Sequence, residues 1–462
     1  MRQALSILFI LYSSFCLAQK VFWVNTSEKH MLAPLKPRFC SEWLGYCSYE
    51  IGTDQESYLP PSGHQVLTFE PQESSTLDDT RLGFALEQIE ADLLIEKGWK
   101  AKGFKIGIID GGFLGAPEEP ALKHFFENNL VANYRDYVTP NSEKYTGSNA
   151  LDDNHGTVVW QMIGGKSTDR NLQWGLATEA TYYLARTDHG AYEKRIEEDY
   201  LIAALEWMEK EGIKLVNISL GYAKGYNDPN ENYQPMDMNG EKSMIARAVD
   251  HAFYEKDMLI VVAAGNEGLD PTWQVLSTPG DAKGALTVGS AKLKSFDKMD
   301  YSSIGPDFLN YVKPNVSTYS TSGTSFAAPI ITGLAAAIWN EHPEFSAKEV
   351  RSLIEQSSNL YPYGNNHVGY GVPRCSVLLN FLAGIKPTAP LLLKPKKDQL
   401  NLRGSYAGKR VILFHKKDSI HIIKREFLRP EKNNFKVERA EDAQFTTIMV
   451  DGVIKELQWK ND

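Results

Sequence analysis

Four short polar segments of this chain carry residues whose types could do chemistry. They hold Asp110, His155, Asn266 and Ser325. A serine hydroxyl becomes a nucleophile when an imidazole takes its proton, and that imidazole needs a carboxylate to fix its tautomer. The tetrahedral intermediate of acyl transfer needs hydrogen-bond donors such as a carboxamide. Each segment alone fits an ordinary turn or helix cap, but together they contain the parts that acyl transfer requires.

The serine segment predicts a turn that leads directly into a buried helix. Residues 322–329 read Ser-Gly-Thr-Ser-Phe-Ala-Ala-Pro, and an apolar run of about ten residues follows. Gly323 permits unusual backbone angles, and Pro329 is tolerated in the first turn of a helix. Ser325 is therefore expected at the positive end of a helix dipole, where backbone N–H groups can help to hold an oxyanion.

The elements that must position these residues alternate between strand and helix. Continuous apolar runs indicate strands at 104–109, 182–185, 214–219, 259–264 and 285–289, and amphipathic stretches indicate helices at 197–211 and 243–255. A helix is also predicted at 80–98, and a capping box at Ser346 predicts another. This pattern predicts an α/β fold with a mostly parallel sheet buried on both faces. Ligand sites in such sheets lie at the carboxyl ends of the strands, where Asp110 and Asn266 are expected.

The chain resembles the subtilisin-like (subtilase) serine proteases over roughly residues 95–380. The resemblance depends on the order Asp110, His155, Ser325 and on four sequence boxes. Residues 323–329 fit the serine box Gly-Thr-Ser-x-Ala-x-Pro, and residues 155–157 read His-Gly-Thr. Residues 109–112 read Ile-Asp-Gly-Gly and residues 264–266 read Ala-Gly-Asn. Two positions depart from the family pattern, because Gly111 replaces the usual Ser or Thr and Asn315 replaces an Asp.

The resemblance implies a serine endopeptidase with assigned residue roles. Ser325 would be the nucleophile, His155 the general base and then acid, and Asp110 the orienting carboxylate. The Asn266 side chain and the Ser325 backbone N–H would form the oxyanion hole. Two segments would flank an extended substrate strand and its P1 side chain; they are Ser219, Leu220 and Gly221, and Ala264 and Gly265.

The composition and the N-terminus indicate an exported protein. The net charge of −9, from 49 Lys and Arg against 58 Asp and Glu, gives no sign of nucleic-acid binding. Residues 1–18 read as a signal peptide, with Arg2 before a short apolar core, and no later segment is apolar enough to span a membrane. An oxidising compartment would allow a disulfide between Cys40 and Cys47, which leaves Cys375 as a buried small apolar residue.

The predicted domains are the signal peptide, an N-terminal extension or prosegment at 19–80, a catalytic domain at 81–386 and a small antiparallel β domain at 387–462. The last is either a sorting module, which it weakly resembles, or an accessory module. Asp451 and Gly452 predict a hairpin turn within it.

Protein or peptide substrates and a monomeric state are expected, with no required cofactor. Calcium could bind in the loop 222–242 through Asp228, Asn230, Asp237 and Asn239, although a solvated loop is the simpler interpretation. Two other function classes stay open, namely a silent binding protein that kept the fold and a nucleotide-binding protein that uses Asp110, Gly111 and Gly112 as a phosphate loop. The absence of a fuller glycine fingerprint counts against the latter.

Overall fold

The computed structural model describes residues 20–25, 37–51, 73–77, 80–147, 153–189, 193–385 and 390–460. The predicted signal peptide therefore lies outside the described residues, as do parts of the N-terminal extension and of the linker that begins at 387.

The N-terminal part forms a three-stranded antiparallel sheet with the strand order β1-β3-β2. Its strands are β1 (Lys20–Asn25), β2 (Phe39–Ser41) and β3 (Tyr46–Ile51). Cys40 and Cys47 form a disulfide between β2 and β3, as their spacing allowed, and Cys375 is buried and unpaired. The chain continues through β4 (Glu73–Leu77), β5 (Thr80–Gly83), α1 (Phe84–Gln88) and α2 (Asp92–Glu96).

The single helix predicted at 80–98 is wrong in its extent. Its first four residues form strand β5, and the helical part is divided by a turn at 89–91. Glu90 has a φ of 62° and its carboxylate accepts a hydrogen bond from Arg374 Nε at 2.8 Å. A left-handed residue interrupts a helix, so a contact made with a segment far along the chain decides this break.

The central part alternates between strands and helices. In chain order its elements are β6 (Lys105–Asp110), α3 (Lys123–Glu127), β7 (Val131–Asp136), α4 (His155–Gly164), β8 (Lys166–Ser167), β9 (Leu172–Gln173), β10 (Thr181–Arg186), α5 (Ile196–Lys210), β11 (Leu215–Ile218), α6 (Met244–Lys256), β12 (Leu259–Ala263), β13 (Leu286–Ala291), β14 (Val316–Tyr319), α7 (Ala328–Glu341), α8 (Ala347–Gln356) and α9 (Cys375–Leu382).

Seven of these strands form one parallel sheet with the order β14-β13-β12-β11-β6-β10-β7. Alternate side chains of β6 enter two cores on opposite faces, since Ile106 and Ile108 pack with α4 and α7 whereas Ile109 packs with α5 and α6. The predicted α/β class with helices on both faces is confirmed. The five predicted strands and the helices α5, α6 and α8 are present with small shifts at their ends.

The two edge strands of this sheet, β7 and β14, are absent from the sequence prediction. β7 reads Val-Ala-Asn-Tyr-Arg-Asp and lacks a continuous apolar run, because it has a neighbour on one side only. β14 is four residues long. Their pairing with β10 and β13 creates these strands, so no local pattern reveals them.

The C-terminal part contains a five-stranded sheet with the order β15-β21-β20-β17-β18 and a separate β16-β19 pair. Its strands are β15 (Leu391–Leu393), β16 (Gln399–Arg403), β17 (Val411–Lys416), β18 (Ile422–Leu428), β19 (Asn434–Glu438), β20 (Phe445–Val450) and β21 (Val453–Gln458). All pairs are antiparallel except β15 with β21. Asp451 and Gly452, both at positive φ, form the predicted two-residue turn between β20 and β21. None of the helices in the described ranges is both long and apolar enough to cross a membrane.

Candidate active site

Asp110 lies at the carboxyl end of β6, in the middle of the parallel sheet. Its side chain is fully buried, and Oδ1 accepts hydrogen bonds from Gly111 N at 2.8 Å and from His155 Nδ1 at 2.6 Å. A carboxylate can only accept, so Nδ1 carries a proton, and in the neutral imidazole Nε2 keeps its lone pair. The imidazole is thereby held in the tautomer that can take a proton from a nucleophile.

Two glycines allow helix α4 to approach the end of β6 closely. A Cβ atom on Gly156 would lie 2.5 Å from Gly112 O and 2.9 Å from Asp110 Cβ. A Cβ atom on Gly112 would lie 2.5 Å from Asp153 O. Since real Cβ atoms do not approach that closely, both glycines are needed for His155, the first residue of α4, to reach Asp110.

Arg186 at the end of β10 holds the loops around this pair. It lies opposite Asp110 in the register of β10 with β6, and its side chain is 8% exposed. Its guanidinium donates to Gly111 O at 2.9 Å, to Asp153 Oδ1 at 2.7 Å and to Asp136 Oδ2 at 3.3 Å. The sequence motifs do not point to Arg186, although a cation at the end of an apolar strand is itself an unusual signal.

Ser325 lies in a single 3₁₀ turn, Thr324–Phe326, immediately before α7. Gly323 begins this turn with a φ of 144°, a conformation that L side chains rarely adopt. Ser325 Oγ donates to Ser219 O at 3.1 Å, and Ser219 Oγ donates to Ser325 O at 2.8 Å. The ring of His155 lies 5.4 Å from that of Phe326, between centroids, so the imidazole stands beside the segment that carries the serine.

Asn266 follows strand β12 and contacts the same turn. Its Oδ1 accepts hydrogen bonds from Thr324 N at 2.9 Å and from Thr324 Oγ1 at 3.2 Å. The backbone N–H can only donate, so it fixes which end of the carboxamide is oxygen and directs Nδ2 away from Thr324. Asn266 is exposed at the surface. Its amide donor is therefore available beside Ser325.

The two predicted substrate segments follow adjacent parallel strands, β11 and β12. Ser219 is used within the protein, because its side chain binds Ser325. Gly221 and Gly265 both face Ser277, whose Oγ would overlap a Cβ on Gly221 and would lie 3.0 Å from one on Gly265. Leu220 is half-buried and Ala264 is buried, and the two strands bring both segments to the same edge of the sheet.

A buried chain of polar side chains supports the serine turn. Asn217 Nδ2 donates to Ser219 Oγ at 2.9 Å, and Thr332 Oγ1 on α7 donates to Asn217 Oδ1 at 2.8 Å. Thr324 adds a second support, because Gly265 N donates to its Oγ1 at 3.0 Å. No sequence motif marks these supporting residues, since Ser, Thr and Asn in such positions look like ordinary caps.

The residues proposed for calcium in loop 222–242 make local hydrogen bonds. Asp228 Oδ1 accepts from Asn230 N, Asp237 Oδ2 from Gln234 N, and Asn239 Oδ1 from Glu241 N. Within the ranges that the structure describes, the acidic ligand atoms that do converge belong to another cluster: Asp188, Glu193 and Glu197.

A family model and several known proteins match this chain in sequence. The family model of the subtilase peptidases matches residues 101–371. Subtilisin DY of Bacillus licheniformis is 26% identical over 288 residues, which cover 60% of this chain and 90% of that protein. A probable subtilase-type serine protease of Deinococcus radiodurans is 25% identical over 346 residues, 66% of this chain and 44% of that protein.

Solved structures of two proteases of type VII secretion systems, MycP3 and MycP1, are also similar. MycP3 has a TM-score of 0.47 and 18% identity, with 71% of this chain and 99% of that chain covered. MycP1 has a TM-score of 0.48 and 20% identity, with 67% of this chain and 91% of that chain covered.

Proposed function

Because this chain belongs to the subtilase family and is a serine-type endopeptidase, we propose that it cleaves peptide bonds through Asp110, His155 and Ser325. Ser325 Oγ attacks the scissile carbonyl while His155 Nε2 takes its proton, and the same imidazole then protonates the leaving amine. Water then attacks the acyl-enzyme. His155 takes a proton from this water and returns it to Ser325 Oγ as the acyl group leaves. The observation that carries this proposal is the 2.6 Å hydrogen bond from His155 Nδ1 to buried Asp110.

The Ser325 hydroxyl must turn toward the imidazole for this step. Its present acceptor is the carbonyl of Ser219, and rotation about χ1 would exchange this acceptor for the imidazole. The hydrogen bonds that link Ser219, Asn217 and Thr332 hold the backbone of Ser325 in place during this rotation. Catalytic hydrogen bonds are often completed only when substrate is bound.

We assign the oxyanion hole to Asn266 Nδ2 and the Ser325 backbone N–H. Thr324 holds the oxygen of the carboxamide, so the amide can meet a developing negative charge without reorganisation. Asn266→Leu is expected to lower kcat by about 10²–10³, the loss that follows removal of the corresponding donor in subtilisin.

We also propose that the protein is exported, that its domains have the predicted boundaries and that it is a monomer. A cleavable N-terminal segment at residues 1–18 would direct the protein out of the cytoplasm, and the Cys40–Cys47 disulfide supports an oxidising destination. The boundaries at 80 and 386, a monomeric state and the absence of nucleic-acid partners remain predictions. The proposed steps use side chains and backbone groups only.

Labelling with a fluorophosphonate, followed by mapping of the modified residue, tests nucleophile and activation together. Labelling is expected at Ser325, and casein hydrolysis should fall by about 10⁶ in Ser325→Ala and in His155→Ala. Thr321→Ala, an exposed residue four positions away, is the control that should keep full activity. Equal casein hydrolysis by Ser325→Ala and the natural protein would show that this site is not the peptidase centre.

A further inference from the structure

The two donors of the proposed oxyanion hole lie on separate segments of the chain. Asn266 belongs to the turn that follows β12, and Ser325 belongs to the turn that precedes α7. A hole that stabilises a developing charge without reorganisation needs both donors fixed relative to each other. A residue that contacts both segments would meet this requirement.

Tyr301 contacts the serine segment through its side chain. Its phenol Oη donates a hydrogen bond to Ser320 O at 2.7 Å and accepts one from Gly323 N at 3.2 Å. Gly323 has a φ of 144° and begins the turn that contains Ser325. The phenol thus joins the two ends of segment 320–323 and holds the start of the serine turn.

The backbone around Tyr301 contacts the other segment. Gly268 N donates to Tyr301 O at 2.8 Å, and Ser303 N donates to Gly265 O at 3.0 Å. These two bonds attach the residues on both sides of Asn266 to the segment that carries the phenol. Tyr301 therefore connects the two turns that supply the donors.

The phenol of Tyr301 is in the protonation state that this connection requires. Tyr301 is half-buried, and burial raises the pKa of its hydroxyl above the ordinary range. The hydroxyl keeps its proton at neutral pH, so it can donate to one backbone group while it accepts from another. A phenylalanine at this position would keep the ring but could form neither bond.

We propose that Tyr301 is a positioning residue for the oxyanion hole, which it serves by fixing the serine turn relative to the turn of Asn266. This inference rests on the function proposed above for Asn266 and Ser325. Loss of the phenol leaves the nucleophile and the imidazole in place but lets the two donors move relative to each other. Because the oxyanion exists only in the transition state and the intermediate, the loss should appear in kcat and not in KM.

Tyr301→Phe in the full-length protein tests this assignment, with casein as the substrate. We expect kcat to fall about tenfold, less than removal of a donor costs, while KM stays within about twofold. In the Asn266→Leu protein the same change should lower kcat by only about twofold, because residues that act as a unit have effects that do not add.

Tyr311→Phe is the matched control. Tyr311 is also half-buried, and its hydroxyl donates to the backbone carbonyl of Asp281 at 2.8 Å. Each variant loses a hydrogen bond from a phenol to a carbonyl, so both should lower Tm by a few degrees. Only Tyr301→Phe should lower kcat.

Three results would overturn the proposal. They are equal kcat values for the two tyrosine variants, a loss that lies in KM alone, or a loss in kcat that is as large in the Asn266→Leu protein as in the natural one. Fluorophosphonate should still label Ser325 in Tyr301→Phe. These results are therefore distinct from failure of the proposed function, in which Ser325→Ala would hydrolyse casein as the natural protein does.

Discussion

The carboxylate of Asp199 shows how burial and pairing compete at a single residue. It lies on α5 with its side chain 1% exposed, bonded to the guanidinium of Arg38 and to Ser48 Oγ at 2.7 Å. Ser48 lies on β3 of the N-terminal sheet, and Arg38 immediately precedes β2. Burial is the largest effect and raises the pKa of Asp199 to about 6, although Arg38 and Ser48 act in the opposite direction. The contact between this sheet and α5 is therefore sensitive to protonation.

The free energy of unfolding should decrease as the pH rises from about 4 to 6 through this group. The folded state binds the Asp199 proton more tightly than the unfolded state does, so its contribution is complete below the unfolded pKa and is lost above the folded one. The full change is about 3 kcal/mol. Urea unfolding of Ser325→Ala with and without Asp199→Asn, at several pH values, measures it as a difference. A difference that does not vary with pH would contradict the assignment.

At the scale of the elements, the contact between α4 and β6 decides the geometry of the proposed active site. Gly156→Ala would place a methyl group against Gly112 O and Asp110 Cβ, so α4 must shift away from the sheet. We expect casein hydrolysis to fall by about 10²-fold, since a displacement of about 1 Å at a reacting group has that effect.

The control for this prediction is Gly83→Ala. There the added Cβ would meet its neighbours at 3.7–3.8 Å, which is ordinary van der Waals contact. Its activity should stay near that of the natural protein. Thermal unfolding of both variants separates a shift of α4 from global destabilisation, and full activity in Gly156→Ala would mean that α4 tolerates the methyl group in place.

At the scale of the whole molecule, the C-terminal sheet packs directly on the catalytic part. Leu360 and Val368 form one buried cluster with Ile412, Phe414 and Met449 of the C-terminal strands. An ion pair between Arg425 Nη1 and Asp297 Oδ1, 2.9 Å apart, lies beside it, with the Asp297 side chain 2% exposed. The two parts share a hydrophobic boundary, so each is expected to stabilise the other.

Arg425→Ala should lower the free energy of unfolding by about 3 kcal/mol, because it leaves the Asp297 carboxylate buried without its cation. The matched control is Lys417→Ala, which removes an exposed ion pair to Asp307 across the same boundary and should cost less than about 1 kcal/mol. Denaturant unfolding of both variants measures the difference. Equal losses would mean that the boundary depends on apolar packing alone.

The sequence by itself determined the fold class, the five central strands and the kind of chemistry. These follow from patterns that a short segment carries, such as continuous apolar runs in buried strands or a Gly-bearing turn before an apolar helix at Ser325. The motif segments also named the residues that the proposed reaction uses.

Only the tertiary structure decided how distant segments meet. The hydrogen bond between Asp110 and His155 spans 45 positions, and the orientation of the Asn266 carboxamide depends on a backbone N–H 58 positions away. The contacts of Arg186, and the convergence of the carboxylates around Glu197, involve residues on other elements. The periodicity of apolar residues within a short segment cannot predict such contacts, because packing and hydrogen bonding act between residues that folding brings together.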